Sequence, residues 1–152
     1  MREIFQCVIP GEPTAKQSAK FRTFEKNGKT RGHSYQPAKV VNWEAYCKKW
    51  IAEAWGGKAP IDIIPLIVTV EFIFYPPKSL KAAQRKLIQN KQLVRKMTKP
   101  DCGNLEKPIT DALEGIVVTN DSRFAETRIS KWYGIIPSTL ITIAVDDNPE
   151  AV

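Results

Sequence analysis

The segment that most limits the fold is "IDIIPLIVTVEFIFYPP", residues 61 to 77. It stays apolar over too many consecutive positions to be a strand with one wet face, where apolar and polar residues would alternate. A central strand buried on both sides is expected over at least Leu66 to Tyr75, with Pro65 at its start or at a bulge and Pro76-Pro77 ending it. Before it, "AKVVNWEAYCKKWIAEAWGG" sets Val40, Trp43, Cys47, Trp50, Ile51 and Ala54 at helical spacing and stops at Gly56-Gly57. Trp43 and Trp50 read as core residues of that helix rather than as platforms for nucleic acid. After it, Ser79 is expected to cap "LKAAQRKLIQNK", a basic helix with Leu80, Ala83, Leu87 and Ile88 as its apolar stripe.

"EIFQCVI" opens the chain as a strand ending at Pro10-Gly11, and "RFAETRISKWYG" and "TLITIAV" follow one another near its end. Consecutive strands there imply an antiparallel part. The expected class is α+β: a single domain with a mixed β-sheet, an antiparallel C-terminal part and about three helices. The 152 residues fit one domain, spanning 1–146, with 147–152 as a polar tail. "MREIFQCVIPGEP" is too short an apolar run for a secretory signal, and no segment approaches the ~20 apolar residues of a membrane span. Cys7, Cys47 and Cys102 are odd in number and widely spaced, and His33 is the lone histidine. Neither a disulfide framework nor a structural zinc site is expected, which favours a reducing cytoplasm.

Charge is unevenly spread. The 23 Lys and Arg outweigh 16 Asp and Glu, and from Lys16 to Lys39 the cations Lys16, Lys20, Arg22, Lys26, Lys29, Arg31 and Lys39 face a lone Glu25. Phe21, Phe24, His33 and Tyr35 are interleaved with them in what reads as a loop or ragged hairpin. Such a patch suits a polyanion, because each cation that meets a phosphate releases condensed counterions. The competing reading is a basic loop that is merely solvated.

Against this background "KPDCGNLEKPITDALEGIVVTND", residues 99 to 121, collects carboxylates. Asn104 can cap a helix from Leu105 to Glu114 that Gly115 would stop, although Pro108 strains a helix started there. Leu105, Ile109, Ala112 and Leu113 form its buried stripe, while Asn104, Lys107, Asp111 and Glu114 line a second face. A hairpin beyond "GIVVTN" could bring Asp121 back to Asp101. Two carboxylates beside Lys107 suit Mg²⁺ and a phosphodiester, the ion activating water and the lysine neutralising charge in the transition state. The same letters, Asp-x-Gly-Asn and Thr-Asn-Asp-Ser, are also ordinary turn sequences. Cys102 reads as a small packed residue rather than a nucleophile.

The run "KPD-x-x-N-L-x-K-x-x-x-D-A-L-x-G…D-S" resembles the signature of the RusA family of Holliday-junction resolvases, endodeoxyribonucleases common in prophages. "PGEPTAKQSAKFR" and "SYQPAK" are similar to that family's N-terminal half, so the resemblance runs from about Ile4 to Tyr133. It implies a homodimeric, Mg²⁺-dependent (or Mn²⁺-dependent) nuclease that nicks four-way DNA junctions. The motif's first aspartate matches Asp101, its lysine Lys107 and its last aspartate Asp121, which makes these three the implied catalytic residues and Asp101 and Asp121 the implied metal ligands. Asn104 and Asp111 match supporting positions, and Asn120 stands where an acidic pair is common. Lys16, Lys20, Arg22, Lys29, Arg31 and Lys99 are the expected DNA contacts. One position departs: Gly103 stands where the family has a carboxylate. Three readings follow: Asp111, Asn120 or Glu106 substitutes through water, the ion takes fewer protein ligands, or the protein binds junctions without cutting them well.

Overall fold

A computed structural model of the chain describes residues 1–17 and 20–148. The apolar run becomes β4, Leu66–Phe74, the middle of a five-stranded mixed sheet. The sheet has the order β1-β7-β4-β6-β5, with β1 Arg2–Pro10, β5 Val94–Arg95, β6 Phe124–Tyr133 and β7 Ser138–Val145. β4 runs parallel to β6 and antiparallel to β7, and β7 is antiparallel to β1. The parallel pair requires a long crossover. It contains α2 (Ala82–Gln89), β5 and α3 (Cys102–Leu113). The strands β6 and β7, though consecutive in sequence, therefore flank β4 instead of pairing with each other.

Burial of β4 differs from the expectation of two core faces. Leu66, Val68, Val70 and Phe72 are fully buried and, with Phe74, join the core cluster that α1 (Ala38–Trp55) and α3 complete. On the opposite face Ile67 and Ile73 are covered, but Thr69 and Glu71 between them are only half-buried and stand outside that cluster. The long helices pack on one side of the sheet, so polar residues are tolerated in the middle of the other. Truncating Phe72 to alanine would cost about 3–5 kcal/mol.

In α1 the buried residues are Val40, Trp43, Cys47, Ile51 and Trp55, and the helix ends at Gly56 in the left-handed conformation, its N–H donating to the Ala52 carbonyl. Trp50, expected in the core, is exposed and packs edge-on against Tyr46, as Trp55 takes the core place against Phe5. The stripe Trp43-Cys47-Ile51-Trp55 advances by four residues, which rotates it about 40° per step and leaves Trp50 on its margin. α2 starts later than expected: Lys81, not Ser79, is its cap residue, and only Ile88 of its stripe is buried.

From Lys20 to Tyr35 the basic segment is a hairpin, and a regular one. β2 (Lys20–Lys26) and β3 (Lys29–Tyr35) pair antiparallel in an unbroken register as a separate two-stranded sheet. Asn27 and Gly28 turn it, with φ of 54° and 71°. Two successive positive φ values are what a two-residue primed turn demands, and Asn-Gly is its favoured pair. At the other end Asp147 pairs with the Met1 amine at 3.3 Å, and residues 149–152 of the expected tail lie outside the described residues. No described helix is long and apolar enough to cross a membrane.

Candidate active site

α3 begins earlier than its caps suggested. Asp101, extended at φ −69° and ψ 149°, is the cap residue and Cys102 the first helical one, so Asn104 lies inside the first turn. Gly115, with φ +84°, follows the end of the helix as expected. Pro108 is thus an interior proline, with no N–H to offer the carbonyl of Asn104 four residues back. The Lys16 N–H fills that place, donating to the Asn104 carbonyl at 2.7 Å. The gap that Pro108 leaves in the helix ladder becomes the point where the basic N-terminal segment is joined to α3. Leu105, Ile109, Ala112 and Leu113 are fully buried beneath, fixing the rotation of the helix.

That rotation aims one polar face at the turn after the helix. Lys107 Nζ lies 2.8 Å from Asp111 Oδ1 and 3.4 Å from Asp121 Oδ2. Ligand oxygens of Asp111, Glu114 and Asp121 all lie within 4.8 Å of one another. The Asp111 hydrogen bond, foremost, holds the Lys107 ammonium above the usual lysine range; burial opposes it, and the Asp111 charge and Asp121 add to the rise. The donors are hard oxygens, and two ligands across an octahedral Mg²⁺ stand about 4.2 Å apart. The donor set suits a small divalent cation, and seating all three oxygens on one octahedral ion, where neighbouring ligands stand about 3 Å apart, requires the side chains to close in and Lys107 to move away. Glu114, read from sequence only as part of a helix face, is the third carboxylate.

Asp121 reaches this face through a 3-10 turn, Asp121–Arg123, and not through the expected hairpin. "GIVVTN" forms only isolated bridges, Val118 to Glu114 and to Ile61. Asn120 Oδ1 accepts from the Ser122 N–H at 2.9 Å, so its amide caps the turn that carries Asp121. The turn is tied to the distant Asp62, which accepts from the Thr119 hydroxyl and from Arg123 Nη2 at 2.9 Å. Hydrogen bonds from Thr119 first and Arg123 next hold the Asp62 carboxyl below its ordinary range. Backbone bonds from Ile61 N to Val117 O and from Thr119 N to Ile61 O reinforce the tie. No sequence signal marks Asp62, because its partners Thr119 and Arg123 lie 57 and 61 residues away.

Asp101 stands elsewhere. It is not in the carboxylate trio, and the ten residues from Asp101 to Asp111 correspond to about 15 Å of helix rise. Asp101 lines a cavity of about 410 Å³ with Lys16, Lys39, Lys99 and Asn104. Lys131 Nζ steadies the approach to it, donating to the carbonyls of Thr98 at 2.8 Å and Pro100 at 2.9 Å. Tyr133, beneath that approach, shares hydrogen bonds with Thr98 and Lys96. Gly103 faces open space: a Cβ there would meet nothing within 4 Å. Neither Asp111 nor Glu114 fills the gap it leaves.

Among the expected DNA contacts, Arg22, Lys29 and Arg31 are exposed on the β2–β3 ribbon, whereas Lys16 and Lys99 border the Asp101 cavity. Lys20 is placed by its backbone as the first residue of β2, and its side chain lies outside the described residues.

Compared with known proteins, residues 10–144 match the model of the family described as Endodeoxyribonuclease RusA. The chain belongs to the RusA family. The match takes in the ribbon, α3 and strands β4 to β7 of the sheet, so the family resemblance reaches well beyond the "KPD…DS" motif. A relative from Bacillus subtilis strain 168, the uncharacterized protein YqaN, is 32% identical over 144 residues, covering 93% of this chain and 96% of the relative. The RusA family is one of endodeoxyribonucleases that act on branched DNA junctions.

Proposed function

We propose that this RusA-family protein is a divalent-metal-dependent endonuclease that resolves four-way DNA junctions, with Mg²⁺ or Mn²⁺ as its ion. The observation that carries the reading is the convergence of Asp111, Glu114 and Asp121 around Lys107, on the helix that Asp101 begins. In this reading Asp121 and Asp111 hold the ion, with Glu114 in reserve, and Asp101 acts at the lysine-rich end of the same helix. Bound there, the ion would supply Lewis-acid polarisation of the phosphate and an activated water. Lys107, released from Asp111, would neutralise charge on the pentavalent transition state. Lys16, Lys39 and Lys99 would hold the neighbouring phosphate, the Asn104 carbonyl ties the N-terminal segment to the helix, and Asn120 caps the turn that carries Asp121. Symmetric nicking of a two-fold junction calls for two related sites, hence a homodimer, working in the cytoplasm. The catalytic domain is residues 1–146.

The test is cleavage of a labelled synthetic four-way junction with Mg²⁺ or Mn²⁺. Wild-type protein should cut it, and Asp101→Asn and Asp121→Asn should each abolish cutting while retaining binding. Cleavage no greater than in these variants would overturn the reading.

A second reading has its own observation, the unfilled space at Gly103. Without a carboxylate there, the protein would bind branched DNA and cut it poorly or not at all. Since nothing obstructs a side chain, Gly103→Asp should fold normally and raise cleavage strongly. Wild-type protein that already cuts as fast as Gly103→Asp would exclude this alternative.

A further inference from the structure

The register of the β2–β3 ribbon sorts its residues by face. In an antiparallel pair, directly opposed residues point to the same side. The pairs Arg22–His33, Phe24–Arg31 and Lys26–Lys29 therefore share one face, continued by the position of Tyr35. The other face carries Phe21–Ser34, Thr23–Gly32 and Glu25–Thr30. Every arginine of the ribbon, both lysines of its turn, His33, Phe24 and Tyr35 fall on the first face, and its single acid, Glu25, falls on the second. Charge is thus segregated as well as abundant.

The second face supplies rigidity. Phe21 lies across the ribbon onto Gly32, where any Cβ would collide with its ring. An aromatic ring covering a cross-strand glycine stiffens a ribbon that has no core beneath it. The first face is left open to solvent. On it the His33 and Tyr35 rings are 6.3 Å apart between centroids and only 12° from parallel. The Arg22 guanidinium lies 5.8 Å from the Tyr35 ring centre, and the three side chains line a slot of about 160 Å³. Phe24 is 44% exposed and Tyr35 38%.

Cations alone would suit any duplex, whose bases offer no free ring faces along its length. Cations interleaved with exposed rings suit DNA whose bases are unstacked, because base–aromatic stacking then adds to phosphate contact. We infer that the first face of the β2–β3 ribbon is a DNA-binding surface that takes unstacked bases at a branch point, with His33 and Tyr35 stacking on a base and Arg22, Lys26, Lys29 and Arg31 holding the flanking phosphates. The inference rests on the branched-DNA reading above and adds to it how the branch is told from plain duplex. A base needs a layer of about 3.4 Å, so a parallel ring pair offers stacking faces at a suitable scale.

The protein is tested in EDTA, which stops cleavage, against a four-way junction, a linear duplex of the same sequence and a single strand. Tyr35→Ala and His33→Ala should each weaken junction and single-strand binding about fivefold or more, and leave duplex binding within about twofold. Tyr35→Phe, which keeps the ring, should bind as wild type. Lys29→Ala and Arg31→Ala should weaken all three and flatten the salt dependence by about 0.7–0.9 per lost contact. Thr23→Ala and Thr30→Ala, on the other face, should change nothing. The inference is overturned if Tyr35→Ala weakens junction and duplex equally, since the ring then only supports the ribbon. It is also overturned if the opposite-face variants lose as much as Lys29→Ala. Ribbon variants that bind and cut junctions like wild type would sink this inference alone, whereas wild-type protein that binds no branched DNA would sink the function with it.

Discussion

The β2–β3 ribbon and the carboxylate cluster of α3 are both dense in charge, yet they are assembled in opposite ways. The ribbon sorts its charges by strand alternation alone, held by cross-strand pairing, the Asn27-Gly28 turn and Phe21 over Gly32. The cluster draws Lys107 and Asp111 from the helix, Glu114 from the extended residue that ends it, Asp121 from a 3-10 turn and that turn's anchor, Asp62, from the segment before β4. A surface made by local periodicity can recruit a polyanion without precise placement, because phosphate contact depends on charge at a distance of ångströms rather than tenths. A hydrolytic centre, the role proposed for the α3 cluster, needs tenths, and the buried stripe of α3 fixes the rotation of the helix that carries it. The difference predicts a division of labour in which the ribbon contributes affinity and the cluster contributes rate.

The sharpest way to break that division is at the cluster. Lys107→Ala should lower single-turnover junction cleavage by about 10²–10³-fold, comparable with removing a preorganised group that meets developing charge, while junction affinity in EDTA stays near wild type. A parallel fall in affinity would show that the two regions are not separable. The converse change, Arg22→Ala with Arg31→Ala, should weaken junction binding by tenfold or more with cleavage at saturating protein nearly unchanged. Loss of saturated rate would mean that the ribbon positions the scissile phosphate.

Pro108 tests the joint between the regions. Pro108→Ala restores an N–H that competes for the Asn104 carbonyl, so the Lys16 amide should lose its partner and exchange with solvent about fivefold faster, the equivalent of about 1 kcal/mol. An unchanged Lys16 amide would show that the N-terminal segment is held by other contacts. A smaller effect is expected at Asp62. Asp62→Ala should reduce cleavage by about two- to threefold by loosening the turn that presents Asp121, with the ribbon's salt dependence unaltered. The pH response of the same tie has a definite sign. Because the folded protein lowers the Asp62 pKa from its ordinary 3.8, the stabilisation is present above that value and is lost as pH falls through the lowered one. Amide protection at Thr119 and Arg123 should therefore be constant from pH 5 to 8 and decline only in stronger acid. A decline near neutrality would assign the tie to another group.

Local periodicity made much of the molecule legible. Val40, Trp43, Cys47 and Ile51 repeat at helical spacing and are buried in α1; Leu105, Ile109, Ala112 and Leu113 do the same in α3. The helix-ending Gly56 and Gly115 were readable because left-handed backbone is cheap only for glycine. Trp50 was misread because a seven-residue spacing ignores the slow rotation of a four-residue stripe. Asn104 was misread as a cap because its side chain suits one, whereas the helix starts where the chain leaves the Lys99-Pro100 segment that Lys131 holds. In the site, Lys107 and Asp111 were legible as helix neighbours, and Asp121 as a candidate without a mechanism for its arrival.

From the sequence by itself came the α+β class, the central strand, the single basic segment and the acidic motif of the RusA family, because each depends on composition or on spacing within one element. Only the tertiary structure decided which carboxylates meet. It set Glu114 with Asp111 and Asp121, left Asp101 among lysines at the other end of α3, and anchored Asp121 through Asp62. The physical reason is that spacing along a chain specifies which residues share a face, whereas convergence of faces depends on core packing and on turns whose partners are remote in sequence.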